Sequence, residues 1–271
     1  IQDIGSRFYT YIATLGMAME AAAEQRIRFV VLDRPNPING EVVSGPVADP
    51  GREAFVAYHR LPVRHGMTVG ELARLFRAER QLDLELEVVE LKNWRRGEFF
   101  DATGLRWINP SPNMRSLAQA LLYPGIGLLE TTNLSVGRGT DTPFEVLGAP
   151  WMDGVEFAFQ LNRLGLPGVV FMPIEFTPES SKFAGERCSG VNILVVDRAR
   201  FQAVRTGLEI ALQLRRLYPD DWDMAAFDRL LVHAQTYEGV RRGRAFNAMQ
   251  AAWADGLESF RQRRAEFLLY R

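Results

Sequence analysis

Cysteine and lysine are scarce in this sequence of 271 residues. The single cysteine, Cys188, excludes an internal disulfide framework and a zinc site built from several thiolates. Lys92 and Lys182 are the only lysines, so arginine supplies almost all of the positive charge. The three histidines do not form a metal-binding pair at helical spacing. We therefore expect neither a metal ion nor a cofactor.

A strong charge of one sign and long apolar runs are also absent. The formal net charge is −1, which predicts no bulk attraction to nucleic acid or to an anionic membrane surface. No stretch is long and apolar enough to cross a bilayer. Hydrophobic residues make up 47% and charged residues 24% of the chain, which is typical of a globular protein with a substantial core.

Short apolar runs alternate with helical patterns, which predicts an α/β protein. Strands are expected at residues 29–32, 84–91, 127–130, 168–173 and 191–196. Helices are expected over residues 12–25, after a capping box that starts at Thr68, after Asn113 as N-cap, and over residues 201–217 and 246–267. The boundary between two α/β series is predicted near residue 148, giving domains 1–148 and 149–271.

Two polar segments in the first part of the chain are candidates for function, because loops of α/β proteins tend to carry it. Residues 2–11 supply one carboxylate, one guanidinium and two phenols: Asp3, Arg7, Tyr9 and Tyr11. Alternatively, Asp3 caps a helix and the tyrosines belong to the core. Residues 33–40 supply Asp33 and Asn36 between prolines, which stiffen a ligand-binding loop or simply form a tight turn.

Two further polar segments follow. Residues 107–113 end in Asn113, which is a candidate ligand contact or only a helix cap. In residues 130–140 a carboxylate, Glu130, is followed by hydroxyls that include Thr140 and by Arg138 between two glycines. Such a loop exposes backbone N–H groups and offers an anion a bidentate guanidinium. The alternative is a structural ion pair between Glu130 and Arg138.

Together these segments resemble the bacterial exo-β-N-acetylmuramidases over nearly the whole chain. The resemblance rests on ordered motifs: Gln2-Asp-Ile-Gly-Ser-Arg-Phe-Tyr-Thr-Tyr11, Asp33-Arg-Pro-Asn-Pro37, Pro110-Ser-Pro-Asn113, Glu130-Thr-Thr-Asn-Leu-Ser-Val-Gly-Arg-Gly-Thr140, Pro143-Phe-Glu145 and Gly148-Ala-Pro-Trp151. It implies a glycoside hydrolase that releases N-acetylmuramic acid from the non-reducing end of peptidoglycan fragments. It also implies a Rossmann-like N-terminal domain, here partly missing, joined to a smaller α/β domain.

Members of that family carry a further N-terminal segment with a Pro-Glu-His-Gly motif, whose Glu and His are candidates for the catalytic machinery. The present sequence opens on Ile1 without a methionine, so we expect the natural N-terminus and any targeting segment to lie outside it. The missing segment is therefore an expected partner of this chain. Peptidoglycan as substrate implies a secreted or periplasmic location.

Glycoside hydrolysis usually requires two carboxylic groups. We expect Glu130, which ends a predicted strand and precedes the glycine-containing loop, to be one of them, with Asp3 and then Asp33 as the next candidates. Arg138 first and Arg7 second are expected to bind the lactyl carboxylate, which distinguishes muramic acid from glucosamine. Contacts with the rest of the sugar are expected from Tyr9, Tyr11, Asn36, Asn113 and Thr140.

Two other classes of protein stay open on the sequence. One is a carbohydrate-binding protein without catalysis, whose polar loops hold a sugar. The other is a Rossmann-like transferase that binds a phosphorylated ligand through Gly137-Arg138-Gly139, although the loop lacks the spacing of a known nucleotide fingerprint.

Overall fold

The computed structural model describes residues 1–271, which form two compact units. The first unit comprises residues 1–110 and 253–271, and the second comprises residues 111–252. Both contain helices and small β-sheets, so the expected α/β class is confirmed. The boundary expected at residue 148 falls inside a strand of the second unit, because residues 146–149 pair with a strand much later in the chain.

The first unit contains two small sheets with helices. Its elements before residue 110 are α1 (Tyr11–Glu24), β1 (Phe29–Leu32), β2 (Ser44–Val47), β3 (Pro62–Arg64), α2 (Val69–Glu79) and β4 (Leu86–Val89). Strands β1 and β4 pair in parallel, and α2 lies in the crossover between them, as a Rossmann-like arrangement requires. Strands β2 and β3 form an antiparallel pair. The strands predicted at residues 29–32 and 84–91 are thus confirmed.

Helix α2 begins at the predicted capping box. The Thr68 hydroxyl accepts the Glu71 N–H at 3.2 Å, and the Glu71 carboxylate accepts the Thr68 N–H at 3.0 Å. The predicted inward stripe of Leu72, Leu75 and Phe76 is fully buried. Local capping and apolar spacing therefore determine where this helix starts and which face it buries.

The second unit is built around an antiparallel sheet with strand order β5–β7–β6. Its elements are α3 (Leu117–Ile126), β5 (Val146–Ala149), α4 (Gly154–Arg163), β6 (Val169–Phe176), β7 (Cys188–Val195), α5 (Ala203–Leu217), α6 (Asp228–Leu231) and α7 (Ala234–Arg241). Strands β6 and β7 form a hairpin whose loop spans residues 177–187. The strands predicted at residues 168–173 and 191–196 correspond to β6 and β7, which pair with each other in antiparallel fashion. The helix predicted over residues 201–217 corresponds to α5.

Two predicted elements near the start of this unit were wrong. Residues 127–130 form a 3₁₀ helix (Gly127–Thr131) that directly continues α3, and not a strand. A short apolar run is compatible with a buried strand or a buried helix, so periodicity could not distinguish them. Helix α3 starts at Leu117, and its cap is Ser116 in place of Asn113, since the Ser116 hydroxyl accepts the Gln119 N–H at 3.2 Å.

Helix α8 (Phe246–Ala265) confirms the predicted C-terminal helix, and its residues from Trp253 onward belong to the first unit. There Arg264 donates to the carbonyls of Gly40 at 3.1 Å and Gly66 at 2.8 Å. The C-terminal segment thereby fixes two loops of the first unit. None of the helices combines the length and apolar character that crossing a bilayer requires.

Candidate functional site

Asp33 lies at the end of β1 and is enclosed by hydrogen-bond donors. One of its oxygens accepts the Thr68 hydroxyl at 2.7 Å and the Tyr270 hydroxyl at 2.5 Å. The other accepts the backbone N–H groups of Gly70 at 2.7 Å and Arg34 at 2.9 Å. Burial, followed by the bond to Asp33, raises the pKa of Tyr270. Asp33 therefore joins the strand end, the start of α2 and the C-terminal segment.

Asp3 is 2% exposed and pairs with a histidine. Its Oδ2 accepts the Gly5 N–H at 2.7 Å and lies 3.2 Å from Nε2 of His65. Nδ1 of His65 accepts the Met67 N–H at 3.2 Å, whereas Nε2, the nitrogen that faces Asp3, makes no hydrogen bond. The other carboxylate oxygen, Oδ1, has no hydrogen-bond partner. Of the two aspartates, Asp3 is thus the one with an unpartnered oxygen, and that oxygen is buried.

Arg7 and Asn36 are buried and bonded to backbone carbonyls of the first unit. Nη1 of Arg7 donates to Pro46 at 3.2 Å and to Leu61 at 2.9 Å. The Asn36 amide donates to Met67 at 3.0 Å. These bonds tie both side chains to the backbone of the first unit and use their donors within the fold.

The two candidate tyrosines pack against each other at a ring-centroid distance of 5.1 Å. Tyr9 is buried, and the Tyr11 hydroxyl donates to the Pro110 carbonyl at 2.6 Å. Tyr9 thus belongs to the core, which was the alternative to a ligand contact for the two tyrosines. In the second unit, Asn113 is half-buried within a turn closed by the Met114 N–H and the Ser111 carbonyl at 3.0 Å.

Glu130 and Arg138 form an ion pair in the second unit. Nε and Nη2 of Arg138 donate to the same oxygen, Oε2 of Glu130, at 3.2 and 3.0 Å. The Glu130 side chain is 21% exposed and that of Arg138 is 37% exposed. The guanidinium also lies over the Phe144 ring, 5.4 Å from its centroid. The structure thus brings the predicted acid and arginine together and leaves both within reach of solvent.

The glycines beside Arg138 shape this loop. Gly137 and Gly139 have φ values of +77° and +84°, which L side chains rarely adopt. A Cβ on Gly139 would lie 2.2 Å from the Ser180 carbonyl oxygen, and the Gly139 carbonyl accepts the Glu179 N–H at 2.8 Å. The glycine loop therefore packs directly on the hairpin loop 177–187. Thr140 closes the turn, because its hydroxyl donates to the Gly137 carbonyl at 2.7 Å.

Lys182 joins this cluster from the hairpin loop, although it was not a candidate from the sequence. Its Nζ donates to the backbone carbonyl of Glu130. Burial lowers the pKa of Lys182, the charge of Glu130 raises it and that of Arg138 lowers it further. The only feature of the sequence that singles out Lys182 is the scarcity of lysine, since the chain has just one other, Lys92. We call Glu130, Arg138 and Lys182 the charged cluster.

Other reactive groups do not form a site. Cys188 is fully buried, and burial together with the charge of Glu186 raises the pKa of its thiol to about 11, so the thiolate is a minor form at neutral pH. No group of three or more His, Cys, Asp or Glu side chains is arranged to hold a metal ion.

The fold is that of solved two-domain proteins. A DUF1343 family protein from Bacteroides fragilis superposes with a TM-score of 0.93 at 35% identity, covering 100% of this chain and 73% of that one. A second protein of that family from the same species gives a TM-score of 0.82 at 30% identity, covering 100% of this chain and 74% of that one. The chain thus falls in the class of DUF1343-like α/β proteins.

Sequence comparison gives the family by name. The profile of the exo-β-N-acetylmuramidase NamZ N-terminal domain matches residues 1–118, and that of the C-terminal domain matches residues 121–270. The peptidoglycan β-N-acetylmuramidase NamZ of Bacillus subtilis is 43% identical over 273 residues, which cover 100% of this chain and 66% of that protein. This chain belongs to the exo-β-N-acetylmuramidase NamZ family, as the resemblance implied.

Proposed function

We propose that this protein is an exo-β-N-acetylmuramidase that releases N-acetylmuramic acid from the non-reducing end of peptidoglycan fragments. Family membership and the name of the Bacillus subtilis relative support the proposal, although the chain spans about two thirds of that relative's length. The observation that carries it in the structure is the charged cluster, where Glu130 and Arg138 are paired and partly exposed.

Glu130 suits the role of the ionised carboxylate in this reaction. Hydrolysis proceeds through an oxocarbenium-like transition state, in which one carboxyl group protonates the leaving oxygen and the other acts in its ionised form. Glu130 accepts two N–H bonds from a cation, as an ionised carboxylate does, and Oε1 accepts none within the protein. We therefore assign Glu130 to the nucleophile or base. Asp3 precedes Asp33 as candidate for the second carboxyl group.

Arg138 suits recognition of the lactyl carboxylate. Its planar guanidinium is oriented by Glu130 on one edge and by the Phe144 ring beneath it. A positioned arginine binds a second carboxylate without losing much side-chain freedom, so it favours muramic acid over the sugar without the lactyl group. Arg7 is bonded to carbonyls in the first unit and ranks second. The sugar contacts assigned to Tyr9, Tyr11, Asn36, Asn113 and Thr140 stay predictions.

The test is hydrolysis of a chromogenic β-glycoside of N-acetylmuramic acid by Glu130→Gln. The amide keeps the size of the side chain but cannot act as a carboxylate, so we expect kcat to fall by about a hundredfold or more. The matched control is Glu175→Gln, which alters an exposed Glu–Arg pair in the same unit. Normal turnover by Glu130→Gln would remove Glu130 from the mechanism.

Measurements of binding and of thermal stability, made beside this assay, separate the other classes of protein. Binding of N-acetylmuramic acid without turnover of any muramic acid glycoside would indicate a carbohydrate-binding protein. Thermal stabilisation by nucleotides and not by N-acetylmuramic acid would indicate a transferase.

We also propose that the protein works outside the inner membrane, because that is where intact peptidoglycan lies. The proposal follows from the substrate alone. Fractionation of the source cells with an antibody against this chain tests it, and recovery only with cytoplasmic markers would contradict it.

A further inference from the structure

The hairpin loop holds Lys182 in a constrained position. The residues on both sides of it, Ser181 and Phe183, have φ values of +72° and +59°. Residues other than glycine rarely adopt this left-handed conformation, and a bulky residue such as Phe183 adopts it only where the surroundings impose it. The loop is also anchored by the Glu179 N–H bond to Gly139. The loop backbone therefore fixes where the Lys182 side chain starts, and the bond to the Glu130 carbonyl locates its ammonium group.

The charges around Lys182 are unbalanced. The cluster contains two cations, Arg138 and Lys182, and one carboxylate, Glu130, which is already paired with Arg138. Lys182 is half-buried, and its ammonium group donates to a backbone carbonyl and not to a carboxylate. An ammonium group has three donors, so further donors stay available. A half-buried cation with unused donors favours an incoming anion.

We propose that Lys182 is the second cation of an anion-binding site and that, together with Arg138, it receives the lactyl carboxylate of N-acetylmuramic acid. This assignment rests on the proposed function for the identity of the ligand. Lys182 contributes specificity: it distinguishes the acidic sugar from its neutral analogue and takes no part in proton transfer. The net positive charge of the cluster then becomes neutral when the ligand carboxylate binds.

The experiment measures equilibrium binding by the full chain, using isothermal titration calorimetry. The probes are N-acetylmuramic acid, its lactyl methyl ester and N-acetylglucosamine. The ester keeps the shape of the acidic sugar but removes its charge. The variants are Lys182→Met, which keeps the aliphatic stem, and Lys182→Arg, which keeps the charge. Lys92→Met is the matched control, because Lys92 is the other lysine of the chain and is exposed.

We expect the parent protein to bind the acid at least about tenfold more tightly than the ester, the size of one charge-assisted hydrogen bond. Lys182→Met should lose about that factor for the acid and leave the ester and N-acetylglucosamine unchanged. Lys182→Arg should retain most of the preference, and Lys92→Met should retain all of it. Far-UV circular dichroism checks that each variant is folded.

Equal weakening of all three probes by Lys182→Met would overturn the proposal, because it would show a purely structural role. Equal binding of acid and ester by the parent protein would overturn it as well. If the acid is preferred through Lys182 but no muramic acid glycoside is hydrolysed, the proposed enzyme fails and this site stands. If hydrolysis occurs while Lys182→Met keeps its preference for the acid, this site alone fails.

Discussion

The two units use charged residues in opposite ways. In the first unit, Asp3, Arg7 and Asp33 are buried and bonded to loops of the fold. In the second unit, Glu130 and Arg138 are paired but keep part of their surface in water. Both sets belong to polar segments that looked alike in the sequence. The difference shows that the fold encloses the charged groups of one such segment and leaves those of another accessible to water.

The comparison has an energetic side. A buried carboxylate with several donors cannot be removed without leaving those donors unsatisfied. A partly exposed ion pair can be removed at little cost, because water replaces the lost partner. Substitutions in the first unit should therefore lower stability, whereas those in the charged cluster should change binding and turnover.

The largest effect on stability is expected from Asp33→Ala. The substitution leaves the Thr68 and Tyr270 hydroxyls and the Gly70 N–H without their acceptor. We expect the free energy of unfolding to fall by about 3 kcal/mol, measured by urea denaturation. Asp83→Ala, at an exposed position, should change it by less than about 0.5 kcal/mol. A stable Asp33→Ala protein that has lost turnover would instead identify Asp33 as catalytic.

A pH-dependent effect is expected from Glu79 at the end of α2. Burial acts to raise the pKa of Glu79, but hydrogen bonds from His59 and Arg263 outweigh it and lower the pKa to about 2. The unfolded-state pKa of glutamate is about 4.3, so the stabilisation is complete above that pH and is lost as the pH falls toward 2.

Glu79→Gln should accordingly lower the free energy of unfolding on the order of 2 kcal/mol at pH 6. The difference from the parent protein should shrink between pH 4.3 and 2, which denaturation at several pH values measures. Glu90→Gln, at an exposed position, is the control. If the difference in the free energy of unfolding between the parent protein and Glu79→Gln does not depend on pH, the charge of the carboxylate does not contribute to stability.

The smallest effect on stability is expected from Arg138→Ala. Its ion pair with Glu130 is partly exposed, so the free energy of unfolding should fall by less than about 1 kcal/mol. The same variant should lose much of its preference for N-acetylmuramic acid over N-acetylglucosamine. Arg187→Ala removes an exposed pair in the same unit and should affect neither property. A loss of several kcal/mol would make the pair a structural one.

Much of the local structure could be predicted from the sequence. The capping box at Thr68, the strand at residues 29–32 and the C-terminal helix follow from side-chain chemistry and apolar spacing over short distances. Residues 127–130 could not be predicted in this way, because an apolar run of that length carries no period. Membership of a glycosidase family could be recognised from the ordered motifs, because this comparison needs only the identity and order of the residues.

Of the charged cluster, Glu130 and Arg138 could be predicted from the sequence and Lys182 could not. The sequence by itself determined that Glu130 and Arg138 lie in one short segment whose glycines allow the chain to turn back, which lets the two side chains pair. Only the tertiary structure decided that Lys182 joins them, since an antiparallel hairpin carries it there from a distant part of the chain. Only the tertiary structure decided, too, that Asp33 is enclosed, because its donors come from α2 and from Tyr270 near the end of the chain. Burial is a property of all the segments that surround a residue, and the residue's own neighbours in sequence do not specify it.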